Sequence, residues 1–270
     1  MKAVRFEYAR PKDVAEALKL LAEGGDGAKC AAGTQSLGPM LNLRVVQPTV
    51  LVDLRHIEEL KAVTDTPDAV TYGACTTHAA VEDGRVPDPT GGFLREIASN
   101  IAYRPIRNRG TMGGSLVHAD PAADWPSTML LLGATMIAAG PAGRREIPVE
   151  SFFTSIFETA LKPGEMLVGI RVPKRGPKAR RAYWKFCRKT GEFPQAIGAA
   201  LLDPDKGESR AVIGATLSTP ILLSNAKALL AKPTDEALGA AADEAGFADD
   251  PYNRRLHAVA LRRAIERLSA

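Results

Sequence analysis

The chain opens on an alternating pattern, with Val4, Phe6 and Tyr8 set against Arg5 and Glu7, which predicts a half-buried strand over 2–8. From Asp13 the period becomes helical: Val14, Ala17, Leu18 and Leu21 share a face, and Gly24-Gly25 ends it. Asp13 and Glu16 stand at capping-box spacing, with Asp in place of the usual hydroxyl residue. Short apolar runs predict strands over 49–54 and 70–74, a helical turn over 56–60, a helix from Thr76 or Thr77, and another over 93–101. After Gly133 the pattern predicts strands over 134–138, 144–147 and 166–172, separated by Gly- and Pro-containing turns. Residues 173–177, rich in Pro, Gly and basic side chains, read as a boundary. Beyond it come three strands (180–188, 196–202, 209–217) and then three helices (222–230, 234–245, 252–268). Strands followed by helices make a smaller α+β module over 176–270.

Two stretches fit neither period. One runs from Arg107 to Pro126 and places Gly110, Gly113 and Gly114 within five positions. Without Cβ atoms, main-chain N–H groups there can be approached closely, and a run of such groups suits phosphate. The other is 29–40, where a short apolar strand runs into Gly33, Thr34, Gln35 and Ser36 before a helix that starts near Leu37. Strand, small-residue turn and helix is a geometry that receives anions. It is neither a Rossmann fingerprint, having no G-x-G-x-x-G, nor a P-loop, having no Gly-Lys-Ser/Thr. Two N–H-rich loops in one domain suggest a diphosphate held from two sides, with Leu37, Leu167 and Trp125 available as apolar walls or as plain core. Asp124 can cap the apolar helix that follows it or hold a ligand hydroxyl. Asp53 reads as a turn cap, and His78 has no partner at metal-ligand spacing.

Composition narrows the function classes. With 270 residues, 45% hydrophobic and 24% charged, the chain reads as ordinary globular protein. No apolar run approaches the ~20 residues of a membrane span, and the N-terminal residues do not read as a signal peptide, so a cytoplasmic location is expected. Three scattered cysteines provide neither a disulfide framework nor the four local thiolates of an iron–sulfur cluster. The net charge of +4 raises a nucleic-acid reading, but the cationic cluster Lys174, Arg175, Lys178, Arg180 and Arg181 lies at the boundary turn without a nucleic-acid motif.

Three segments together carry a family resemblance: Ala32-Gly33-Thr34-Gln35-Ser36-Leu37, Arg107 through Ser115 with Gly110, Gly113 and Gly114, and His118 through Asp124. They resemble the FAD-binding medium subunit of molybdenum hydroxylases, the group of the carbon monoxide dehydrogenase medium subunit and the xanthine dehydrogenase flavin domain. The resemblance covers the whole chain. It implies an α+β fold: a two-part FAD-binding domain of the PCMH/vanillyl-alcohol-oxidase-like type over 1–175, in subdomains of about 1–55 and 56–175, then a C-terminal α+β domain with a three-stranded sheet and helices. It assigns the FAD diphosphate to Ala32, Gly33, Thr34, Gln35 and Ser36 and to Thr111, Gly113, Gly114 and Ser115. Thr34 departs from the pattern, since relatives usually have a second glycine there; its side chain must point away from the diphosphate or the loop must shift. The resemblance sets Asp124 at the ribityl or ring edge of the flavin, His118 close to the cofactor or in a structural hydrogen bond, and Leu37 and Leu167 as apolar neighbours. Lys185 falls on a lysine near the flavin, where it would stabilise negative charge or stand as an exposed strand lysine.

The implied activity is a redox relay. A large molybdopterin subunit oxidises substrate, a small subunit carries electrons through 2Fe–2S clusters, and FAD in this chain passes them to an external acceptor. Such a protein needs no nucleophile or acid–base pair of its own, and no metal site is expected here. The rivals are a self-sufficient FAD-dependent oxidoreductase of the same fold superfamily and a non-catalytic binding module.

Overall fold

The computed structural model describes residues 2–269. The chain begins with strand β1 (Glu7–Ala9), helix α1 (Val14–Gly24), β2 (Ala28–Ala31), α2 (Leu37–Asn42) and β3 (Val50–Asp53). The three strands form a parallel sheet in the order β1-β3-β2, with Ala31 opposite Asp53. The first strand is shorter and later than the alternating pattern predicts. The predicted cap is present: Asp13 Oδ1 accepts from Glu16 N at 2.8 Å, an interaction worth about 1 kcal/mol. Val14 and Ala17 are buried beneath it.

The middle part contains β4 (Val63–Asp65), β5 (Ala69–Gly73), α3 (His78–Glu82), α4 (Phe93–Ser99), α5 (Arg104–Arg107), α6 (Met112–His118) and α7 (Asp124–Leu132). It continues with β6 (Thr135–Gly140), β7 (Gly143–Pro148), the small hairpin β8 (Phe153–Ser155) and β9 (Glu158–Thr159), and β10 (Met166–Pro173). The large sheet runs β4-β5-β10-β6-β7 with every pair antiparallel. Alternation along β10 puts Leu167 in the central core and Val168 in the core beneath the first sheet, and a bulge between Leu167 and Gly169 then returns Ile170 and Val172 to the central core. Sequence pattern missed β4, β8 and β9, each two or three residues long and without a full apolar period.

The C-terminal part is β11 (Arg180–Phe186), β12 (Ala196–Asp203), β13 (Glu208–Gly214), β14 (Ile221–Leu222), α8 (Ala226–Ala231), α9 (Asp235–Ala242) and α10 (Pro251–Ser269). Its sheet has four strands rather than three, because Ile221 and Leu222, the latter predicted to open a helix, pair with Ile213 and Val212. The sheet is covered on both faces, which is why β12 reads as an unbroken apolar run. Ile197, Ala199 and Leu201 join the central core, while Ala200, Ala211 and Ile213 meet the terminal helices. Gly198 is set by contact: a Cβ there would lie 2.5 Å from the carbonyl of Ala260 in α10.

Helix α7 is the hub. All nine of its residues are buried. Its last carbonyls are capped by two arginines, Arg175 to Leu132 O at 2.6 Å and Arg210 to Leu130 O at 2.8 Å. The basic cluster is thus largely spent inside the fold. Arg181 donates to Thr90 O, Arg180 to Leu268 O, and Lys174 pairs with Asp65.

Candidate functional site

The two glycine stretches meet. A Cβ on Gly33 would lie 2.2 Å from Arg109 O and 2.7 Å from the Cα of Gly110, so the first loop lies directly on the second. They present very different surfaces. Among the described residues, none of the main-chain N–H groups of Gly33, Thr34, Gln35, Ser36 or Leu37 donates to the chain, and no side chain caps the start of α2. The loop is braced from behind, where Gln35 Nε2 donates to Gly33 O at 2.9 Å. Thr34 has φ +60°, the left-handed region that glycine prefers. That backbone requirement accounts for the glycine expected at this position, and the loop keeps the conformation with threonine.

The second stretch corrects the expectation of a second donor-rich loop. Met112 N is bonded to Thr76 O at 2.9 Å, Gly113 N to Ala74 O at 3.0 Å and Ser115 N to Thr111 O at 3.0 Å. Gly114 N is capped by Thr111 Oγ1 at 3.0 Å. Residues 112–118 are helix α6 with Thr111 as its N-cap, so these N–H groups are already satisfied. Gly113 is a packing residue, since a Cβ there would lie 2.5 Å from Ala74 O. Gly114 is exposed and keeps an open face for close approach. Ser115 is half-buried on the same helix.

Behind this stretch lies His78, whose Nδ1 accepts from Trp125 Nε1 at 3.0 Å. Burial, reinforced by the Arg107 guanidinium, pushes its pKa down to about 4, so the ring is neutral with its proton on Nε2. The main-chain N–H of His78 donates to Gly110 O at 3.0 Å, and a Cβ on Gly110 would lie 2.7 Å from Nε2. His78 is therefore a brace for the second stretch, and Trp125 is fully buried core rather than a pocket wall. Asp53 caps its turn as expected, with Oδ1 accepting from Arg55 N at 3.0 Å. Burial pushes its carboxyl up, but hydrogen bonds from Arg55 and Tyr8 outweigh burial and hold it well below the usual carboxylate range.

Asp124 does not cap α7; it is the first residue of the helix, after Ala123. Its carboxylate is buried and held from β11, by Tyr183 Oη at 2.7 Å and by Lys185 Nζ at 2.9 and 3.0 Å. Lys185 also donates to Asn100 O at 2.9 Å, and with a side chain only 14% exposed it is not an ordinary surface lysine. Burial raises the Asp124 pKa, opposed by the Lys185 charge and by hydrogen bonds from Lys185 and Tyr183. Tyr183 is absent from the sequence-based set; its alternation with Lys185 on one strand face was the available signal. His118 ends α6 half-buried, its ring tilted 37° against Phe157 with centroids 5.0 Å apart, and burial lowers its pKa against an opposing effect of Asp120. Leu167 is buried and Leu37 half-buried.

Main-chain N–H groups without partners among the described residues, lying against a glycine-containing second stretch, have the chemistry that suits a diphosphate-bearing cofactor. The donor set fits FAD: neutral N–H groups for the diphosphate, and a carboxylate and an ammonium on separate elements. The chain belongs to the family described as the FAD binding domain in molybdopterin dehydrogenase, which matches residues 4–175. It is 34% identical to the carbon monoxide dehydrogenase medium chain of Afipia carboxidovorans, across 98% of this chain and 97% of that one. It is 40% identical to the 6-hydroxypseudooxynicotine dehydrogenase complex subunit alpha of Paenarthrobacter nicotinovorans, over 74% of this chain and 67% of that one. A solved carbon monoxide dehydrogenase from Oligotropha carboxidovorans superposes with TM-score 0.91 at 32% identity, covering 99% of each chain.

Proposed function

We propose that this chain is the FAD-binding electron-transfer subunit of a multisubunit molybdenum hydroxylase. It takes electrons from the 2Fe–2S clusters of a small subunit and passes them to an external acceptor, while a large molybdopterin subunit oxidises the substrate. The observation that carries this reading is the run of N–H groups from Gly33 to Leu37 without partners among the described residues, in a chain that matches medium subunits nearly end to end. Bound flavin supplies the reversible electron transfer that amino-acid side chains lack. The protein binds and orients it. The 33–37 loop holds the diphosphate, Thr111 fixes α6, and Gly113 and Gly114 let the second stretch close without intruding side chains. Ala32 and Ser115 flank these contacts. Asp124, Lys185, His118, Leu37 and Leu167 line the ribityl and ring end, the buried leucine excluding water and the lysine fixing positive charge. A cytoplasmic complex agrees with three free thiols and with the absence, among the described residues, of any helix long and apolar enough to cross a membrane.

The test is the visible spectrum of the assembled complex and the nucleotide released from this subunit on denaturation. Wild type is expected to be yellow and to release FAD. Thr34→Asp sits at a left-handed position that aspartate tolerates and adds a carboxylate beside the N–H run. It should fold and assemble but lose the flavin. A wild-type complex without FAD would sink the reading.

A further inference from the structure

The candidate site contains a buried tyrosine to which the proposed function assigns no role. Tyr183 and Lys185 occupy alternate positions of β11 and so face α7 together, while Trp184 turns to the opposite side under Arg263. Both reach one carboxylate. Tyr183 Oη donates to Asp124 Oδ1 at 2.7 Å, and Lys185 Nζ reaches Oδ1 at 2.9 Å and Oδ2 at 3.0 Å. The remaining direction of the ammonium is taken by Asn100 O at 2.9 Å, at the end of α4. Three elements therefore fix one charge. Packing alone would be served by a phenyl ring, yet the hydroxyl is spent on a charged acceptor, where a hydrogen bond is strongest.

We propose that Tyr183 is a positioning residue: its hydroxyl fixes Oδ1 of Asp124, and so holds the Lys185 ammonium in one place and the proton of the pair on the lysine. This rests on the flavin-subunit reading above, in which Lys185 sets the charge at the ring end of the cofactor. The charged groups that reach this part of β11 from α10 are Arg267, which donates to the main-chain oxygen of Tyr183 at 2.9 Å and lies 4.0 Å from Glu96 of α4, and Arg263, over the Trp184 ring. Cys187, just past the end of β11, also lies within the field of Asp124, and burial pushes its thiol pKa up. On the α7 side, Trp125 leads to His78, which is neutral. Burial already drives the Asp124 carboxyl toward protonation, so each donor that opposes it matters.

The experiment is a spectroelectrochemical titration of the FAD midpoint potential against pH, in the assembled complex, for wild type and Tyr183→Phe. Losing a hydrogen bond to a charged group should move protonation of Asp124 upward by about one to two pH units. Below the new inflection Lys185 is uncompensated, which favours the reduced cofactor and makes the potential more positive. The variant should therefore show its inflection at higher pH and a higher potential on the acid side. Asp124→Asn removes the titrating carboxyl and should abolish the inflection, which keeps the proposal testable if Tyr183→Phe assembles poorly. A Tyr183→Phe profile that overlays wild type, even with a lower melting temperature, makes the tyrosine merely structural and overturns the proposal. So does an inflection that persists in Asp124→Asn. Absence of FAD from wild type overturns the parent reading instead, and the two failures are distinct.

Discussion

The segments 33–37 and 110–115 look alike in sequence and do opposite work. Both are rich in small residues, and both lead into a short helix. In the first, five consecutive N–H groups have no partners among the described residues. In the second, Met112, Gly113, Gly114 and Ser115 give their N–H groups to Thr76, Ala74 and Thr111. Gly33 in the first and Gly113 in the second both serve close packing, and the difference lies in whether the neighbouring N–H groups find partners. A glycine-rich stretch thus predicts close approach to something, and only the fold decides whether that is a ligand or another backbone.

The most severe way to break the comparison is at the contact between the two segments. Gly33→Ala puts a Cβ 2.2 Å from a main-chain oxygen, so Arg109 and Gly110 must move. We expect stability to fall by about 1–3 kcal/mol and FAD affinity by about a hundredfold, the second because the donor run loses its backing. Urea melts and a flavin titration of the same preparation separate the two effects. An unchanged affinity would show that the segments act independently.

Acid attacks the second segment through His78, and His118 and His257, also lowered by burial, add to the loss. Its folded pKa of about 4 lies below the ordinary 6.5, so between those values the unfolded chain binds a proton that the native state refuses. Stability is undiminished above about pH 6.5 and declines as pH falls toward about 4, by about 3 kcal/mol in total. The urea midpoint should drop over that window, and His78→Gln should flatten the slope. Hydrogen exchange should find the amides of 112–115 deprotected first, because the His78–Gly110 bond braces that turn.

Gly113→Ala isolates the packing role. Its Cβ would lie 2.5 Å from Ala74 O, so stability should fall by about 1–3 kcal/mol. FAD affinity of the folded fraction should stay within about threefold, since Gly113 N is already bonded to Ala74 O. A large loss of affinity at unchanged stability would reverse the roles assigned to the two segments.

Legibility follows the range of the interaction. The cap at Asp13, the helix over 252–268 and the longer strands of the large sheet, β5, β6, β7 and β10, were readable because the period that specifies them is local. The short strands β4, β8, β9 and β14 were not, because two or three residues become a strand only when a partner is brought to them. The site divides the same way. Gly33 and Asp124 stood out by local composition. The N–H groups of 112–115 turned out to be occupied because Ala74 and Thr76 arrive from β5 and its exit, some forty residues upstream, which no local reading of glycines reveals. Tyr183 escaped for the same reason: its partner Asp124 lies on another element, and an inward tyrosine on a strand otherwise reads as core.

The smallest and sharpest change acts on the first segment alone. Thr34 holds φ +60° without being glycine, which costs about 1–3 kcal/mol in strain. Thr34→Gly removes that strain and loosens the unfolded chain, which returns about 0.4–1 kcal/mol of the gain. The net expectation is a rise in stability of about 1 kcal/mol, with FAD affinity equal to or slightly above wild type, because the neighbouring N–H groups keep their places and the loop loses a side chain. The measurement is a thermal melt paired with a flavin titration. Lower stability would mean that threonine makes a compensating contact in the folded loop. Lower affinity would mean that its hydroxyl, rather than the backbone beside it, helps to hold the diphosphate. In that case the first segment would bind partly through side chains, and its contrast with the second would rest on Gly33 and the remaining N–H groups alone.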